Sequence, residues 1–505
     1  MSWASELSLR KINPFTGGYG TEKMSGRERI DTELVVVGAG AAGLYAALTA
    51  ASLGASVTVI SATPLAQTAS YWAQGGLAAA LGEDDSPQLH LADTETAGRG
   101  LVRRSAAEIL VNEAPGIIGE LQKIRMRFDL DGDGHLSLGL EGGHSRRRIV
   151  HAGGSSTGRR LARQLSAALV REPRVTILEG TRASNLWTED GGVVGVVCED
   201  GLAVRARGTV IATGGAAALW QRTTNPPGSI GIGIMLARAA GAEVADLEFV
   251  QFHPTAVVGV PGREGFLISE AIRGEGATLV GPDGERFVNE LAPRDEVARA
   301  IWSVLEEHSV ASVGLDMSSV DAGRFPNIAD TLRKSGLDPS HDLIPVAPAA
   351  HYMMGGVVAD LNGATNVDGL YVIGESACSG LHGANRLASN SLSECLVFGA
   401  RAARTALDRP ATASGQPPAS IPLALPSPAT RESMSRNAGL IRDRAGLELL
   451  LKDPYPLAAL VADCALAREE SRGSHWRSDF PALNPDLDSM HAVISGESTA
   501  FERWQ

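Results

Sequence analysis

The strongest hydrophobic pattern in the chain lies between residues 31 and 61. An apolar run rich in β-branched residues, Leu34–Val37, predicts a short buried strand, and the alanine- and leucine-rich residues 41–53 predict a helix after it. Residues 56–60 predict a second strand. The stretch therefore predicts one βαβ unit of about thirty residues, the unit from which parallel nucleotide-binding sheets are built.

Three glycines stand between the first strand and the helix. Gly38, Gly40 and Gly43 complete the pattern G-x-G-x-x-G. The first allows a sharp turn, the second lets the backbone approach a pyrophosphate, and the third lets the helix pack closely on the strand. Because free N–H groups and the helix dipole favour negative charge, the phosphates of a dinucleotide would bind at this helix N-terminus.

One feature of dinucleotide-binding units is missing. The second strand is expected to end near an acidic residue that binds the adenosine ribose. Here the strand ends at Ser61, whose hydroxyl would make a weaker contact. The motif therefore predicts a dinucleotide and does not distinguish FAD from NAD.

The pattern of apolar runs also predicts how the rest of the chain is organised. Helices are predicted at residues 93–123, 156–169, 389–408, 431–451 and 456–470, and strands at 175–178, 193–198, 203–206, 209–212 and 369–373. Residues from 246 to about 345 contain short apolar segments and many charges, which is typical of a domain inserted into the first one. A segment rich in Pro, Ala and Ser marks a linker near residue 410.

These elements predict an α/β fold with six segments. They are a flexible tail at 1–30, the first part of a nucleotide-binding domain at 31–245, an inserted domain at 246–352, the second part of the nucleotide-binding domain at 353–408, a Pro-rich linker at 409–430 and a C-terminal helical domain at 431–505.

Composition narrows the class of protein. The chain has 505 residues, of which 44% are hydrophobic and 20% charged, and this is typical of a globular α/β protein. A formal net charge of −13 argues against a nucleic-acid partner. The four cysteines form no C-x-x-C pair, which predicts reduced thiols. No apolar run reaches transmembrane length and no signal peptide is visible, so we expect a cytoplasmic protein without a membrane partner.

Residues 128–141 (FDLDGDGHLSLGLE) are similar to a calcium-binding loop. Asp129, Asp131, Asp133 and Gly134 fit the start of an EF-hand, but the twelfth position is Leu140 and the expected glutamate comes one place later. The period-two pattern that follows favours a hairpin. We therefore predict no metal site.

Six short segments between residues 141 and 386 combine histidine, arginine and small residues. They are EGGH (141–144), QFHPT (251–255), SEAIRGEG (269–276), LAPRD (291–295), AHY (350–352) and HGANR (382–386). Any single histidine or arginine here could be structural. As a set they indicate a pocket for carboxylates, because arginine binds carboxylates in bidentate fashion and histidine can donate from either ring nitrogen. Two such subsites would imply a dicarboxylate.

Together these motifs resemble those of the succinate dehydrogenase/fumarate reductase flavoprotein family. The resemblance covers residues 31–481 and includes YWAQGG, ATGG, TTNP, QFHPTA, RGEG, LAPRD, PAAHY and GLHGANRLASNSL. It implies a Rossmann-like FAD-binding domain interrupted by an α+β capping domain and followed by a C-terminal helical domain. EGGHS and the segment ESRGSHWRSDFP are most similar to the family members that oxidise L-aspartate.

The resemblance also implies how FAD is held. Respiratory members attach the flavin covalently through a histidine, and the aligned residue here is Ala69, so we expect FAD to be bound non-covalently. The implied contacts fall in the glycine turn, the wrapping loop, the second glycine turn and two later segments: Gly38, Ala39, Gly40, Ala41, Ala42, Gly43, Ser61, Ala69, Ser70, Tyr71, Trp72, Ala73, Gln74, Gly75, Gly76, Thr213, Gly214, Glu375 for a ribose, and Ser391 and Leu392 at the isoalloxazine ring.

For the substrate, the resemblance implies oxidation of L-aspartate to iminoaspartate, the first step of de novo NAD biosynthesis. His253, His351 and Arg386 would hold the two carboxylates, with Ser269, Glu270 and Thr255 completing the substrate pocket. Glu141 would pair with the substrate ammonium, which succinate and fumarate lack. Arg294 matches the proton donor or acceptor proposed for the family, although a guanidinium is almost always charged and an electrostatic role is the alternative.

The resemblance leaves several alternatives open. Electrons would pass to O2 or fumarate, and the unstable product would pass to quinolinate synthase. A soluble fumarate reductase or succinate dehydrogenase-like flavoprotein is the main alternative, and a flavin-binding partner protein without catalysis is a third. Two residues depart from the family, Ile232 where an acid is usual and Ala62 where a relative has lysine, and both changes predict weaker retention of FAD.

Overall fold

The computed structural model describes residues 29–65, 68–410 and 415–505. Residues 1–28 of the predicted tail lie outside these ranges. Residues 411–414 of the predicted linker also lie outside them. The helices are α1 (Ala41–Ser52), α2 (Ala69–Trp72), α3 (Pro87–Ala97), α4 (Arg104–Lys123), α5 (Thr157–Val170), α6 (Ile232–Ala239), α7 (Glu270–Gly274), α8 (Arg294–His308), α9 (Pro326–Arg333), α10 (Asn390–Asp408), α11 (Pro428–Asn437), α12 (Arg444–Leu450) and α13 (Pro456–Ala467).

The strands form five sheets among the described residues. They are β1 (Arg29–Asp31), β2 (Leu34–Val37), β3 (Val57–Ser61), β4 (Leu77–Ala78), β5 (Leu138–Gly139), β6 (Ile149–Val150), β7 (Val175–Glu179), β8 (Ala183–Glu189), β9 (Gly192–Cys198), β10 (Ala203–Arg205), β11 (Gly208–Ile211), β12 (Val244–Ala245), β13 (Val250–Val257), β14 (Thr278–Val280), β15 (Val313–Asp316), β16 (Ile344–Met353), β17 (Gly356–Val358), β18 (Leu370–Val372), β19 (Ala377–Cys378), β20 (Met490–Ser495) and β21 (Ser498–Arg503).

The nucleotide-binding sheet is parallel throughout, in the order β18-β11-β2-β3-β7. The predicted βαβ unit is confirmed as β2, α1 and β3. Close backbone contacts require glycine at positions 38 and 43 of the turn between β2 and α1. A Cβ on Gly38, where φ is +114°, would lie 2.2 Å from the Ala212 carbonyl oxygen, and one on Gly43 would lie 2.0 Å from the Gly38 carbonyl oxygen. The parallel sheet and the helices that connect its strands confirm the predicted α/β class.

The segment between the two parts of the nucleotide-binding sheet carries a second, antiparallel sheet. Its order is β13-β16-β15-β14, with α7, α8 and α9 in the same stretch of chain. Its own apolar core includes Ile268, Val297, Leu315 and Ile328. The two longest strands of this sheet, β13 and β16, pair with each other and carry several of the predicted site residues.

Two predicted helices are each divided in the structure. The predicted helix at 93–123 is α3 and α4, separated where Arg99 and Gly100 take positive φ values of 56° and 80°. The predicted helix at 431–451 is α11 and α12. The C-terminal segment also contains strands β20 and β21, which pair with each other, and β20 pairs with β12 of a larger sheet. The C-terminal segment is therefore not entirely helical, contrary to the sequence prediction.

The loop similar to a calcium site is held by its own backbone. The Asp131 carboxylate accepts hydrogen bonds from the backbone N–H groups of Asp133 and His135, and Leu130 forms an antiparallel bridge with Leu136. This agrees with the hairpin prediction. Within the described ranges, no cluster of His, Cys, Asp and Glu side chains is arranged to hold a metal, and no helix is long and apolar enough to cross a bilayer.

A buried ionic network joins the C-terminal segment to the start of β13. Arg468 donates to Glu248 at 2.6 Å and to Glu470 at 3.1 Å, and it lies 3.7 Å from Asp246. All four side chains are almost completely buried. A buried charge whose partner is removed is strongly destabilising, because its desolvation is no longer compensated.

We expect Arg468→Met to destabilise the protein by about 3–5 kcal/mol, because it leaves the buried Glu248 and Glu470 carboxylates without this guanidinium. Arg436→Met is the matched control, since Arg436 is 71% exposed and pairs only with Glu432 one helical turn away, an arrangement worth roughly 0.5 kcal/mol. Thermal unfolding of both variants measures the difference. Equal melting temperatures would show that the network does not stabilise this junction.

Candidate active site

The glycine turn presents backbone N–H groups that the helix itself leaves unpaired at the start of α1. Gly40 occupies the N-cap and its helix has no side-chain cap. The Ala41 N–H donates to Ser70 Oγ at 3.0 Å, and a Cβ on Gly40 would lie 3.3 Å from the same oxygen. The turn and the loop carrying Ser70 therefore lie close together. This cradle fits a pyrophosphate, because a side chain at residue 40 would fill the space that the phosphates need.

The loop predicted to wrap the flavin is partly helical. Residues Ala69–Trp72 form α2, and the guanidiniums of Arg159 and Arg163 lie 5.7 and 5.9 Å from the centre of the Tyr71 ring. Trp72 is 55% exposed. The Ala73 carbonyl accepts from the Gly158 N–H, which ties the loop to α5.

The second half of this loop contacts two other parts of the site. Gln74 Nε2 donates to the Leu267 carbonyl at 2.7 Å, which ties the loop to the segment after β13. The Gly76 N–H donates to Ser389 Oγ at 3.1 Å, and Gly75 faces the same serine. The loop is therefore held between the segment after β13 and the start of α10.

Glu375 and Ser61 lie on opposite sides of the glycine turn. Glu375 follows β18, and Ser61 ends β3, so β11 and β2 stand between them. Glu375 accepts from the Met353 N–H at 3.0 Å, and burial raises its pKa to about 7. Ser61 Oγ donates to the Thr63 carbonyl at 2.6 Å. The two side chains thus lie on opposite sides of the turn at which the sequence predicts the pyrophosphate.

The second glycine turn lies next to Glu375. Thr213 Oγ1 is 3.2 Å from Ser376 Oγ, which donates to the Gly214 carbonyl at 3.0 Å. The two positions that depart from the family offer no polar group, since Ile232 begins α6 with an apolar side chain and Ala62 is exposed.

Two guanidiniums of the carboxylate pocket converge on one amide oxygen. Gln251 Oε1 accepts from Arg294 Nη1 at 3.0 Å and from Arg386 Nη2 at 3.1 Å. The Gln251 amide nitrogen donates to Asn385 Oδ1 and to the Arg386 carbonyl, which fixes the orientation of the amide. Gln251 lies within the QFHPT motif, but the sequence does not reveal its role, because a neutral amide carries no charge signal.

Glu270 compensates part of this positive charge. Its Oε2 accepts from Arg294 Nε at 2.6 Å, and Oε1 lies 3.4 Å from Arg273 Nη2. Burial alone raises the pKa of Glu270, but the guanidiniums of Arg294 and Arg273 outweigh it and hold the pKa below its usual value. Glu270 is therefore an ionised partner of Arg294, and Arg386 lacks an equivalent carboxylate bond. Buried Arg386 Nε has no hydrogen-bond partner.

The two predicted histidines face each other from neighbouring strands. His253 lies on β13 and His351 on β16, and their ring centroids are 5.1 Å apart. Burial, together with the nearby guanidiniums, holds the pKa of both rings well below the usual value. The Thr255 N–H donates to His253 Nδ1 at 3.2 Å, so a neutral His253 carries its hydrogen on Nε2 and donates from there.

His351 is oriented by a residue that the sequence did not single out. Its Nδ1 lies 2.7 Å from Thr224 Oγ1, within the TTNP motif. Two other predicted substrate residues bind backbone instead. Thr255 Oγ1 donates to the Ile268 carbonyl at 2.9 Å, and Ser269 Oγ accepts from the Ala271 N–H at the start of α7.

Glu141 lies at another wall of the same pocket. It is buried, and its Oε2 accepts from Ser389 Oγ at 2.7 Å. The next residue, Gly142, is so close to Glu270 that a Cβ there would lie 2.1 Å from Glu270 Oε1. Two residues after Ser389, Ser391 Oγ accepts from Arg386 Nη1 at 2.7 Å, and Leu392 follows, buried, on α10. The structure therefore brings together Glu141, His253, Glu270, Arg294, His351 and Arg386.

Comparisons with known proteins agree with this arrangement. Residues 33–392 match the family described as FAD binding domain, and residues 448–502 match the fumarate reductase flavoprotein C-terminal family. A solved quinol-fumarate reductase structure superposes with a TM-score of 0.86 at 27% identity, over 95% of this chain and 98% of that chain. Mycobacterium smegmatis Sdh1 gives 0.81 at 30% identity, over 95% of each chain. Fold and site thus define a flavoprotein of the fumarate reductase class.

Curated relatives give a narrower assignment. The L-aspartate oxidase of Agrobacterium fabrum is 46% identical over 91% of this chain and 93% of the relative, and that of Streptomyces coelicolor is 40% identical over 92% and 91%. The chain belongs to the L-aspartate oxidase family.

We expect Gly40→Val to abolish retention of FAD without unfolding the protein, because its side chain would enter the space beside Ser70 that the pyrophosphate needs. Gly116→Val on α4 is the control, since an added Cβ there meets nothing within 4 Å. The flavin-to-protein ratio of the two purified variants, read from their absorbance, tests this. A Gly40→Val protein that keeps full flavin would place the pyrophosphate elsewhere.

Proposed function

We propose that this protein oxidises L-aspartate to iminoaspartate, with non-covalently bound FAD as cofactor, as the first step of de novo NAD biosynthesis. The observation that carries the proposal is the position of Glu141, a buried carboxylate that bonds to Ser389 and, unlike Glu270, forms no ion pair with an arginine among the described residues. A pocket for succinate or fumarate alone would gain nothing from a carboxylate that does not compensate an arginine. A substrate with two carboxylates and an ammonium group complements both kinds of side chain.

The arginines and histidines bind and orient the substrate carboxylates. One carboxylate binds Arg386, whose buried Nε has no other partner, together with His351. The other binds Arg294 and the Nε2–H of neutral His253. Bonds from a guanidinium to a carboxylate are charge-assisted and geometrically specific, so two of them fix the direction of the carbon chain. The reacting Cα–N bond is thereby held in one orientation.

FAD, when bound, supplies the oxidant that takes the hydride from Cα. The substrate ammonium must also lose a proton for the C–N bond to become C=N. Glu141 is the proton-accepting group nearest to that nitrogen in our assignment, since its carboxylate binds the ammonium before the reaction. Arg294 acts electrostatically, because its guanidinium stays charged and its contacts to Glu270 and Gln251 hold it in place.

The cofactor is held without a covalent bond. Ala69 in α2 offers only a methyl group, so it has no nucleophile with which to attach a flavin. The glycine turn, the loop at residues 69–76, Glu375 and the start of α10 provide the non-covalent contacts. Oxygen or fumarate takes the electrons afterwards, and iminoaspartate passes to quinolinate synthase in the cytoplasm.

A succinate dehydrogenase or fumarate reductase activity is the second candidate, because the solved structures of that class share the fold closely. The two candidates differ in the substrate that reduces the flavin. We expect L-aspartate to bleach the oxidised-flavin absorbance of the FAD-loaded protein under anaerobic conditions. Bleaching by succinate and not by L-aspartate would support the second candidate and contradict the first.

A further inference from the structure

One turn of the chain contacts both ends of the proposed substrate site. Ser389 Oγ donates to Glu141 Oε2 at 2.7 Å, and Ser391 Oγ accepts from Arg386 Nη1, also at 2.7 Å. Glu141 is the group assigned to the ammonium, and Arg386 is a group assigned to a carboxylate. The residues that fix these opposite charges are thus only two positions apart, at the first turn of α10.

Ser389 has an unusual backbone conformation for its residue type. Its φ is +58°, in the left-handed region where glycine is favoured and other residues are strained. Its hydroxyl is fully used, because it accepts from the Gly76 N–H at 3.1 Å and donates to Glu141. A serine in place of glycine here therefore supplies a hydroxyl that connects the flavin loop to the Glu141 carboxylate.

The turn is fixed from its other side by a second set of buried bonds. His144 Nε2 bonds to the Ala388 carbonyl at 2.9 Å, and Arg148 donates to His144 Nδ1 at 3.2 Å. Asn390 Oδ1 bonds to His90 Nε2 at 2.8 Å. Because each of these side chains is buried, the position of the turn is set by α3 and by the loop that carries Glu141 itself.

An unrestrained Glu141 would have a competing partner. This partner is Arg386. Burial lowers the pKa of Arg386 to about 10, while the negative charge of the Glu141 carboxylate raises that pKa. A pairing of these two opposite charges would neutralise a carboxylate subsite. The Ser389 bond instead fixes one oxygen of Glu141. The other oxygen, Oε1, faces Gly75, where no side chain fills the space.

We propose that Ser389 is a positioning residue that sets the preference for an α-amino dicarboxylate over a plain dicarboxylate, by holding Glu141 towards the substrate ammonium. This inference rests on the proposed function, because it assigns the ammonium to Glu141. Ser391 has the complementary task of holding Arg386, and its effect does not depend on an amino group. The two serines therefore form a matched pair with different expected selectivities.

The test compares Ser389→Gly with Ser391→Ala in the FAD-loaded protein. Glycine keeps the left-handed conformation that residue 389 requires, and the flavin-to-protein ratio of each variant is checked first. Two quantities are measured: the half-saturating concentration of L-aspartate for anaerobic flavin reduction, and the dissociation constant of succinate from the shift of the oxidised-flavin spectrum. The second needs no turnover.

For Ser389→Gly we expect the half-saturating L-aspartate concentration to rise about tenfold, as for loss of a hydrogen bond to a charged group, while the succinate constant changes less than about twofold. For Ser391→Ala we expect both constants to rise together. Equal losses for both ligands in Ser389→Gly would overturn the inference, because they would indicate a general structural role. Unchanged L-aspartate binding would overturn it as well.

A double-mutant comparison separates Ser389 from the function on which it rests. In a Glu141→Gln background, Ser389→Gly should add less than about twofold, because it acts through the Glu141 carboxylate. A full additional loss would contradict the inference alone. If the wild-type flavin is not reduced by L-aspartate at all, the proposed function fails, and the inference fails with it.

Discussion

The site depends on two arginine side chains held on one amide oxygen. The positive charges of Arg294 and Arg386 repel each other. Arg294 lies at the start of α8, and Arg386 lies in the loop before α10. Gln251 accepts from both and its own amide nitrogen is fixed by Asn385 and the Arg386 carbonyl. Glu270 compensates Arg294, whereas Arg386 contacts neutral groups, the oxygens of Gln251 and Ser391 and the face of the Tyr352 ring at 4.5 Å. Such a pocket favours an anion, and this supports the proposed binding of the substrate carboxylates.

This arrangement requires strand β13 to be placed accurately, because Gln251 and His253 both lie on it. Asp246 and Glu248, just before the strand, bind Arg468 of the C-terminal segment, and Arg442 donates to the Glu248 carbonyl at 2.6 Å. From the other side, β13 pairs with β16, which carries His351. The C-terminal segment thus supports the substrate site through the strand, although none of the proposed substrate contacts comes from it.

The sequence was most informative where a residue is charged or where a turn demands glycine. Apolar periodicity located β2, α1 and β3, and the charged clusters identified the six side chains that converge in the pocket. It was least informative for neutral residues that orient the charged ones. Gln251, Thr224 and Ser389 carry no charge, and their roles depend on partners at least 43 residues away in the sequence. The prediction of a helical C-terminal segment is wrong for strands β20 and β21, which pair across Gly496. The short apolar run at residues 492–494 before this glycine is the sequence signal for the first of them.

If the pocket has two carboxylate subsites, both carboxylates of a ligand must contribute to its binding, and ligands that differ in one carboxylate measure that contribution. Succinate and butyrate have the same carbon chain, and each can be titrated into the FAD-loaded protein while the oxidised-flavin spectrum is followed. We predict that butyrate binds at least about 100-fold more weakly, since it leaves one arginine–histidine pair without its charge-assisted bonds. Dissociation constants within a few-fold of each other would contradict the account, because one subsite would then suffice for binding.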